Sequence, residues 1–339
     1  MRIALDAMGG DHGPEKLIAG AILALEETDL ELTLVGDESA IRACLEQQNP
    51  AAPVAGRMQV LHTTEVIRMD ESPVDGIRKK KNSSVMLAFD LVKKGEAVAA
   101  VSAGNSGATL AAGIRKLGRI KGISRPGIAN AFPSVKQPVI LMDVGANVDC
   151  RPSHLLQFAL MASAFASVYH IESPRVGLLS IGEEAGKGNQ LVKDTWELLS
   201  ESSLNFVGNV EGRDLFQGEV DVIVCDGFVG NISLKVSEGL VEASTQMLRE
   251  GIMSSTMAKL GYLLVRPVFK KLKKRVDYAE YGGAPLLGLD GTGIICHGKS
   301  NAVAIKNAIL VAQQVVEIEV NKKIVASLEE NTVASQVDS

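Results

Sequence analysis

The chain has 339 residues, 46% of them hydrophobic and 22% charged, with a net charge of −5. It is therefore globular rather than disordered, and long enough for one large or two ordinary domains with a real core. The acidic balance and the 4% aromatic content argue against nucleic acid as a partner and leave no base-stacking platform, and there is no apolar run of the ~18 residues that a membrane span needs.

Taken in chain order, short apolar runs alternate with helical patterns. Ile3-Ala4-Leu5 reads as a strand, Pro14 to Glu27 as a helix with Leu17, Ile18, Ala21, Ile22 and Leu25 on one face, because apolar residues at intervals of three and four share a helix face. Glu31 to Val35 is a strand, Ser39 to Gln47 a helix, Asn49 to Gly56 a loop and Gln59 to His62 a short strand. Ile77 stands in an otherwise polar, basic stretch from Ser72 to Lys81; Ser84 to Lys94 is a helix with Val85, Leu87, Ala88, Leu91 and Val92 inward. Ser106 to Leu117 is small and apolar, and Ser153 to Tyr169 is a long Ala-rich helix with Pro152 at its start, where proline is tolerated. Asn189 to Ser202 and Asn231 to Arg249 are helices that each open on an asparagine able to cap them, and Lys299 to Val316 is the last helix. Alternation of this kind predicts an α/β fold, a mostly parallel sheet with helices on both faces. The expected organisation is one body over residues 1–325, a helical insertion at about 239–280, and a flexible polar tail at 326–339.

One punctuation recurs. An apolar run stops at an acid or a serine and gives way to a glycine-rich polar loop: Asp6-Ala7-Met8-Gly9-Gly10-Asp11, Ser102-Ala103-Gly104-Asn105-Ser106-Gly107, Asp143-Val144-Gly145-Ala146-Asn147, Gly182 to Asn189 and Asp226-Gly227-Phe228-Val229-Gly230-Asn231. Open α/β sheets bind ligands beyond the carboxyl ends of their strands, so these loops predict one composite site at one edge of a sheet. Helix N-termini offer free N–H groups and a positive dipole end to an anion, and Lys187 adds a point charge, so a phosphate-bearing ligand is the functional reading; helix caps and tight turns are the bland one. Asp6, Asp11, Asp143 and Asp226 either cap their own turns or orient a lysine, an asparagine, a water or Mg²⁺. His12 is a candidate general acid or donor, or simply a surface residue.

Other signatures are missing or weak. No G-x-S-x-G elbow, H-E-x-x-H helix or early G-x-G-x-x-G occurs. Gly293-Ile294-Ile295-Cys296-His297-Gly298-Lys299-Ser300 matches the P-loop spacing, but its middle residues are apolar and strand-like, and Ser300 or Asn301 reads better as a helix cap. The four cysteines, Cys44, Cys150, Cys225 and Cys296, form no metal-type pair, and Cys225 and Cys296 read as buried thiols suited to a reducing cytosol. No metal and no cofactor is expected.

The insertion has apolar faces, a proline at 267 that should break its helix, and a strong basic cluster, Lys270, Lys271, Lys273, Lys274 and Arg275. Three readings stand: a solvated basic face, dimer packing with the tip on anionic lipid, or docking of an acidic carrier protein.

These loops, with Leu5 to Pro14, Ala108 and Leu287-Gly288-Leu289-Asp290-Gly291, occur in an order that resembles the bacterial phosphate acyltransferase family of phospholipid synthesis, the PlsX proteins, over about residues 1–316. The resemblance implies a three-layer α/β/α fold like that of isocitrate and isopropylmalate dehydrogenases and phosphotransacetylases, and a homodimer. It implies a cytoplasmic enzyme, peripherally associated with the inner face of the cell membrane. Its reaction would join inorganic phosphate to the acyl group of acyl carrier protein, and a membrane glycerol-3-phosphate acyltransferase would use the acyl phosphate. On this reading Lys187, Asn189, Asn231, Asp226, His12 and Asp6 carry the catalytic site. Phosphate and the acyl group would meet Gly9, Gly10, Asp11, Ser102, Gly104, Asn105, Ser106, Gly107, Asp143, Gly145, Asn147, Gly227 and Gly230. Phosphate is already an anionic nucleophile and a thiolate leaves with little acid assistance, so no serine or cysteine nucleophile is required. The alternatives are a short-chain phosphotransacetylase, an acid dehydrogenase, a P-loop kinase, or a non-catalytic membrane-associated scaffold.

Overall fold

The structure, a computed structural model, describes residues 1–11, 13–276 and 281–331. His12 and residues 277–280 and 332–339 lie outside the described residues. In the N-terminal part β1 (Arg2–Asp6), α1 (Pro14–Glu27), β2 (Glu31–Gly36), α2 (Glu38–Gln48), α3 (Ala52–Ala55), β3 (Met58–His62), α4 (Pro73–Lys79), α5 (Ser84–Lys93), β4 (Ala99–Ser102) and α6 (Ser106–Leu117) follow one another. Next come β5 (Gly127–Phe132), β6 (Val139–Met142), α7 (Pro152–Ala166), β7 (Val176–Leu179), α8 (Gln190–Ser200), β8 (Phe206–Val210) and β9 (Val222–Val224). Two long helices, α9 (Gly227–Met253) and α10 (Thr256–Val276), precede β10 (Ala284–Leu287), β11 (Thr292–Ile295), α11 (Ala302–Glu317) and α12 (Val320–Glu330).

Strand side chains alternate between two cores, as the two-residue period requires. Ile3, Leu5, Leu32, Leu34, Ile140 and Met142 pack with residues of α1, α7, α11 and α12, whereas Ala4, Val35, Ala100, Leu141 and Ile223 pack with residues of α4, α5 and α6. Helices thus cover both faces of the sheet in three layers, which explains why its strands read as unbroken apolar runs. In α5 the inward face includes Met86 and Phe89, both buried, while Leu87 and Val92 are only half-buried.

The sheet order is β3-β2-β1-β4-β11-β10-β5-β6-β9-β7-β8. Strands β3, β2, β1, β4 and β11 are parallel to one another, and so are β6, β9, β7 and β8. Between the groups three antiparallel pairs intervene, β11–β10, β10–β5 and β5–β6. Three reversals leave the second group running opposite to the first. The loops after β1 and β4 therefore leave one edge of the sheet and those after β6, β7 and β9 leave the other. This corrects the expectation of a single edge: the strands that reverse the sheet join residues far apart in sequence, and apolar runs carry no direction.

Four local expectations also change. The 49–56 loop contains one helical turn, α3, opened by Pro53. Helix α9 is capped by Asp226 rather than opened by Asn231: the Asp226 carboxylate accepts from the amides of Phe228 at 3.0 Å and Val229 at 2.9 Å. Pro267 lies inside α10 instead of ending it. The helix forgoes the one amide bond that proline cannot donate, and the Tyr262 and Phe269 rings, 5.6 Å apart, stack across that position. Residues 326–330, assigned to a tail, complete α12, where Leu328 is buried against the first core.

Candidate active site

Asp6 and Ser102 end neighbouring strands in register. The Ser102 hydroxyl donates to Asp6 Oδ2 at 2.7 Å, and the Met8 amide donates to Oδ1 at 3.2 Å. Ser102 Oγ in turn accepts from the Gly104 amide at 3.1 Å. Burial raises the Asp6 carboxyl above its ordinary value, and the donors from Ser84, Ser102, Met8 and Gly9 work against it. Gly9 is glycine because a Cβ there would lie 2.5 Å from the Gly104 nitrogen. The Asp11 amide donates to the Gly298 carbonyl at 2.8 Å, and Asn105 caps α6 by accepting from the Ala108 amide at 3.1 Å. The loops after β1, β4 and β11 are thereby tied into one knot.

A second knot forms at the opposite edge around Asp143, which is fully buried. Its Oδ1 accepts from the amides of Ile128 (3.0 Å), Gly145 (3.3 Å) and Ala146 (3.1 Å). Its Oδ2 accepts from the Asn147 amide (2.7 Å) and Asn147 Nδ2 (3.0 Å). Burial raises this carboxyl and the donated bonds oppose it. The Gly227 amide donates to the Asn147 carbonyl at 2.7 Å, and a Cβ on Gly230 would sit 1.9 Å from the Asp143 carbonyl oxygen. The first turn of α9 is thus pressed onto the 143–147 loop. Asp6 and Asp143 engage both oxygens with amide and hydroxyl donors, and Asp226 engages Oδ1 with two cap amides, so each holds a loop in place.

Between the knots lies a cleft of about 220 Å³, lined by Ser106, Asn130, Gly145, Asn231, Lys235 and His297 among others. It spans the antiparallel strands, so loops that leave opposite edges still share it. Ser106 is the first residue of α6, and Asn231 lies one turn into α9 against Gly145. Lys235 follows one turn later and pairs with Glu238 at 2.7 Å. His297 Nδ1 accepts from the Lys299 amide at 3.1 Å, which favours the tautomer with its proton on Nε2, and Nε2 stands 3.3 Å from Lys235 Nζ. Burial, then the Lys235 charge, lowers the His297 pKa below its ordinary 6.5, which favours the neutral ring. Cys296 also lines the cleft, but burial pushes its thiol up to about 12, so it is a neutral wall rather than a nucleophile.

The sequence candidates divide accordingly. Ser106, Gly145 and Asn231 line the cleft. Gly9, Gly10, Asp11, Ser102, Gly104, Asn105, Asn147, Gly227 and Gly230 belong to the knots that frame it. Lys187 and Asn189 do not line it. Lys187 is exposed in the loop after β7, with its amide donating to Glu184 at 2.9 Å, and Asn189 caps α8 through the Val192 amide at 2.9 Å. The P-loop-like segment ends as the bland reading has it, with Asn301 capping α11 through the Ala304 amide at 2.9 Å. Lys235 and His297 were missed. The available signals were the helical spacing of Asn231, Lys235 and Glu238, and a sixth strand-end loop after β11. In the basic patch, Lys270, Lys271 and Lys274 are exposed, and the side chain of Lys273 lies outside the described residues. Arg275 leaves the patch, because its guanidinium is engaged with the carbonyls of Ser134, at 2.9 Å, and Val135.

Residues 1–323 match the family described as "Fatty acid synthesis protein". The chain belongs to that family. A protein named phosphate acyltransferase from Pelobacter propionicus is 53% identical over 99% of this chain and 96% of its own length. Another of that name from Geobacter sulfurreducens is 53% identical over 97% of this chain and 94% of its own. Among solved structures, a phosphotransacetylase from Streptococcus pyogenes has a TM-score of 0.65 at 18% identity, covering 94% of each chain. A 4-hydroxythreonine-4-phosphate dehydrogenase from Klebsiella pneumoniae has a TM-score of 0.54 at 13% identity, covering 93% of this chain and 99% of the other. These two share the fold.

Proposed function

We propose that the protein is an acyltransferase that makes acyl phosphate from inorganic phosphate and the thioester of a fatty acyl carrier protein. The observation that carries this reading is the meeting of Lys235 Nζ and His297 Nε2 at 3.3 Å in a cleft that also holds the N-terminus of α6 and the Asn231 side chain. Lys235 and the first amides of α6 hold the phosphate dianion. A phosphate oxygen attacks the thioester carbonyl carbon and forms the new C–O bond. The carbonyl oxygen takes up the negative charge, which His297 Nε2–H and Asn231 Nδ2 stabilise by hydrogen bonding. The C–S bond then breaks, and the carrier leaves as a thiolate that takes its proton from solvent. Lys187, in the loop after β7 on the edge that also carries the 143–147 loop, adds long-range attraction for the incoming anion.

The exposed hairpin of α9 and α10 supports the remaining proposals. Met247, Met257 and Leu264 are 70%, 76% and 84% exposed, beside Lys270, Lys271 and Lys274. No helix among the described residues is long and apolar enough to cross a membrane. We assign the apolar faces to a second copy of the chain and the basic tip to anionic lipid at the inner face of the cell membrane, where a glycerol-3-phosphate acyltransferase would take the product. Changing these three lysines to glutamate should abolish sedimentation with anionic vesicles. The catalytic reading is tested by trapping acyl phosphate with hydroxylamine from a long-chain acyl carrier protein. Product that requires phosphate supports it. Activity that survives replacing the carrier by coenzyme A, with preference for short chains, points instead to a phosphotransacetylase, whose fold this chain shares.

A further inference from the structure

A second cavity, about 350 Å³, lies between β5 and α9 and opens into the reaction cleft, since Asn130, Leu234 and Glu238 line both. Its volume is that of a small-molecule site. On one side stand Ala131, Phe132 and Phe216, the two rings meeting edge to face at 6.3 Å. On the other, Leu234, Ser237, Val241, Thr245 and Arg249 recur at intervals of three and four, which places them on one stripe of α9. From Leu234 to Arg249 the helix rises about 22 Å. At the mouth, where cavity and cleft join, Lys235 neutralises Glu238, and Glu242, midway along the wall, is exposed. A polar, donor-rich chamber thus continues into a long apolar slot. A reactant with an anionic head and a hydrocarbon tail matches both parts, and a short acyl group leaves the slot empty.

We propose that this groove between β5 and α9 holds the hydrocarbon chain of the acyl substrate, with the thioester at the Leu234–Glu238 end, and that its far end around Thr245 sets the preference for long chains. The inference rests on the proposed function. Thr245 is exposed, so Thr245→Trp fills the far end with little risk to folding; Val241→Trp blocks the groove nearer the cleft.

Two measurements test this and separate its failure from that of the catalytic reading. In turnover, palmitoyl and octanoyl thioesters of carrier protein are compared. Thr245→Trp should lower kcat/KM for palmitoyl by at least about tenfold and leave octanoyl within about twofold; Val241→Trp should impair both. In binding, a fluorescent long-chain fatty acid should be held by the wild-type protein without carrier or phosphate, and released by Val241→Trp. A chain-length profile unchanged by Thr245→Trp, or wild-type protein that fails to bind the fatty acid, overturns the groove even where acyl phosphate is formed. A change in sedimentation velocity on tryptophan substitution, with chain preference unaltered, would assign the groove to a second copy and equally overturn it. If no acyl phosphate forms but the fatty acid binds and is displaced, the catalytic reading fails and the groove stands.

Discussion

Asp143→Asn isolates what the buried carboxylate does. Its two oxygens take five N–H donors at 2.7–3.3 Å, and no part of the residue reaches solvent. Asparagine is nearly isosteric but supplies one acceptor and two donors. With its oxygen turned to Ile128, Gly145 and Ala146, its NH₂ faces the Asn147 amide, which loses its acceptor, and Asn147 Nδ2, which keeps only the Pro126 carbonyl. Each buried donor left unpaired costs about 1–3 kcal/mol, and the three surviving bonds drop from charged to neutral strength. The expected loss is about 3–5 kcal/mol, which for a chain of this size lowers Tm by about 4–7 °C. Urea unfolding followed by circular dichroism, with calorimetry for Tm, measures it. Activity should fall in parallel, because the same loop carries Gly145 against Asn231 in the cleft. A stability loss under about 1 kcal/mol with a raised KM for phosphate would refute the reasoning and make Asp143 a ligand-binding group.

Gly230→Ala places a methyl 1.9 Å from the Asp143 carbonyl oxygen, backbone that cannot swing away, so it should destabilise by about 1–3 kcal/mol or more. Gly239→Ala meets nothing within 4 Å and should be neutral or gain up to about 1 kcal/mol; equal effects would discredit the packing argument. Lys235→Ala should raise the KM for phosphate at least about tenfold and Lys187→Ala much less, and the reverse order would move the phosphate to the 182–189 loop. Burial raises Asp6 above 3.8, so in the window above that value the native state binds more protons than the unfolded chain and this group's contribution to stability declines as pH rises. Relative to Asp6→Asn, wild-type stability should therefore fall between pH 4 and the raised native value, and an opposite slope in urea titrations would exclude the assignment.

Much of the layer architecture was legible in the sequence. The apolar runs at 3–5, 139–142, 176–179 and 222–224 are strands covered on both faces, and a segment so covered needs no polar alternation to announce it. The helix at Pro14–Glu27 and the caps Asn189 and Asn301 follow from interactions within a few residues. The recurrent acid-and-glycine punctuation marked the loops that frame the cleft and the family to which the chain belongs. Tertiary structure decided the rest. Sheet direction reverses through β10, β5 and β6, whose pairings join segments distant in the chain. That the acids at the strand ends hold amides of the loops around them shows only in the folded chain. Lys235 and His297 lie 62 residues apart and meet at 3.3 Å only because α9 and the loop after β11 pack over the same strands. Local chemistry settles elements and caps within a few bonds of each residue, whereas a site built from two opposed sheet edges exists only once the antiparallel strands have brought them together.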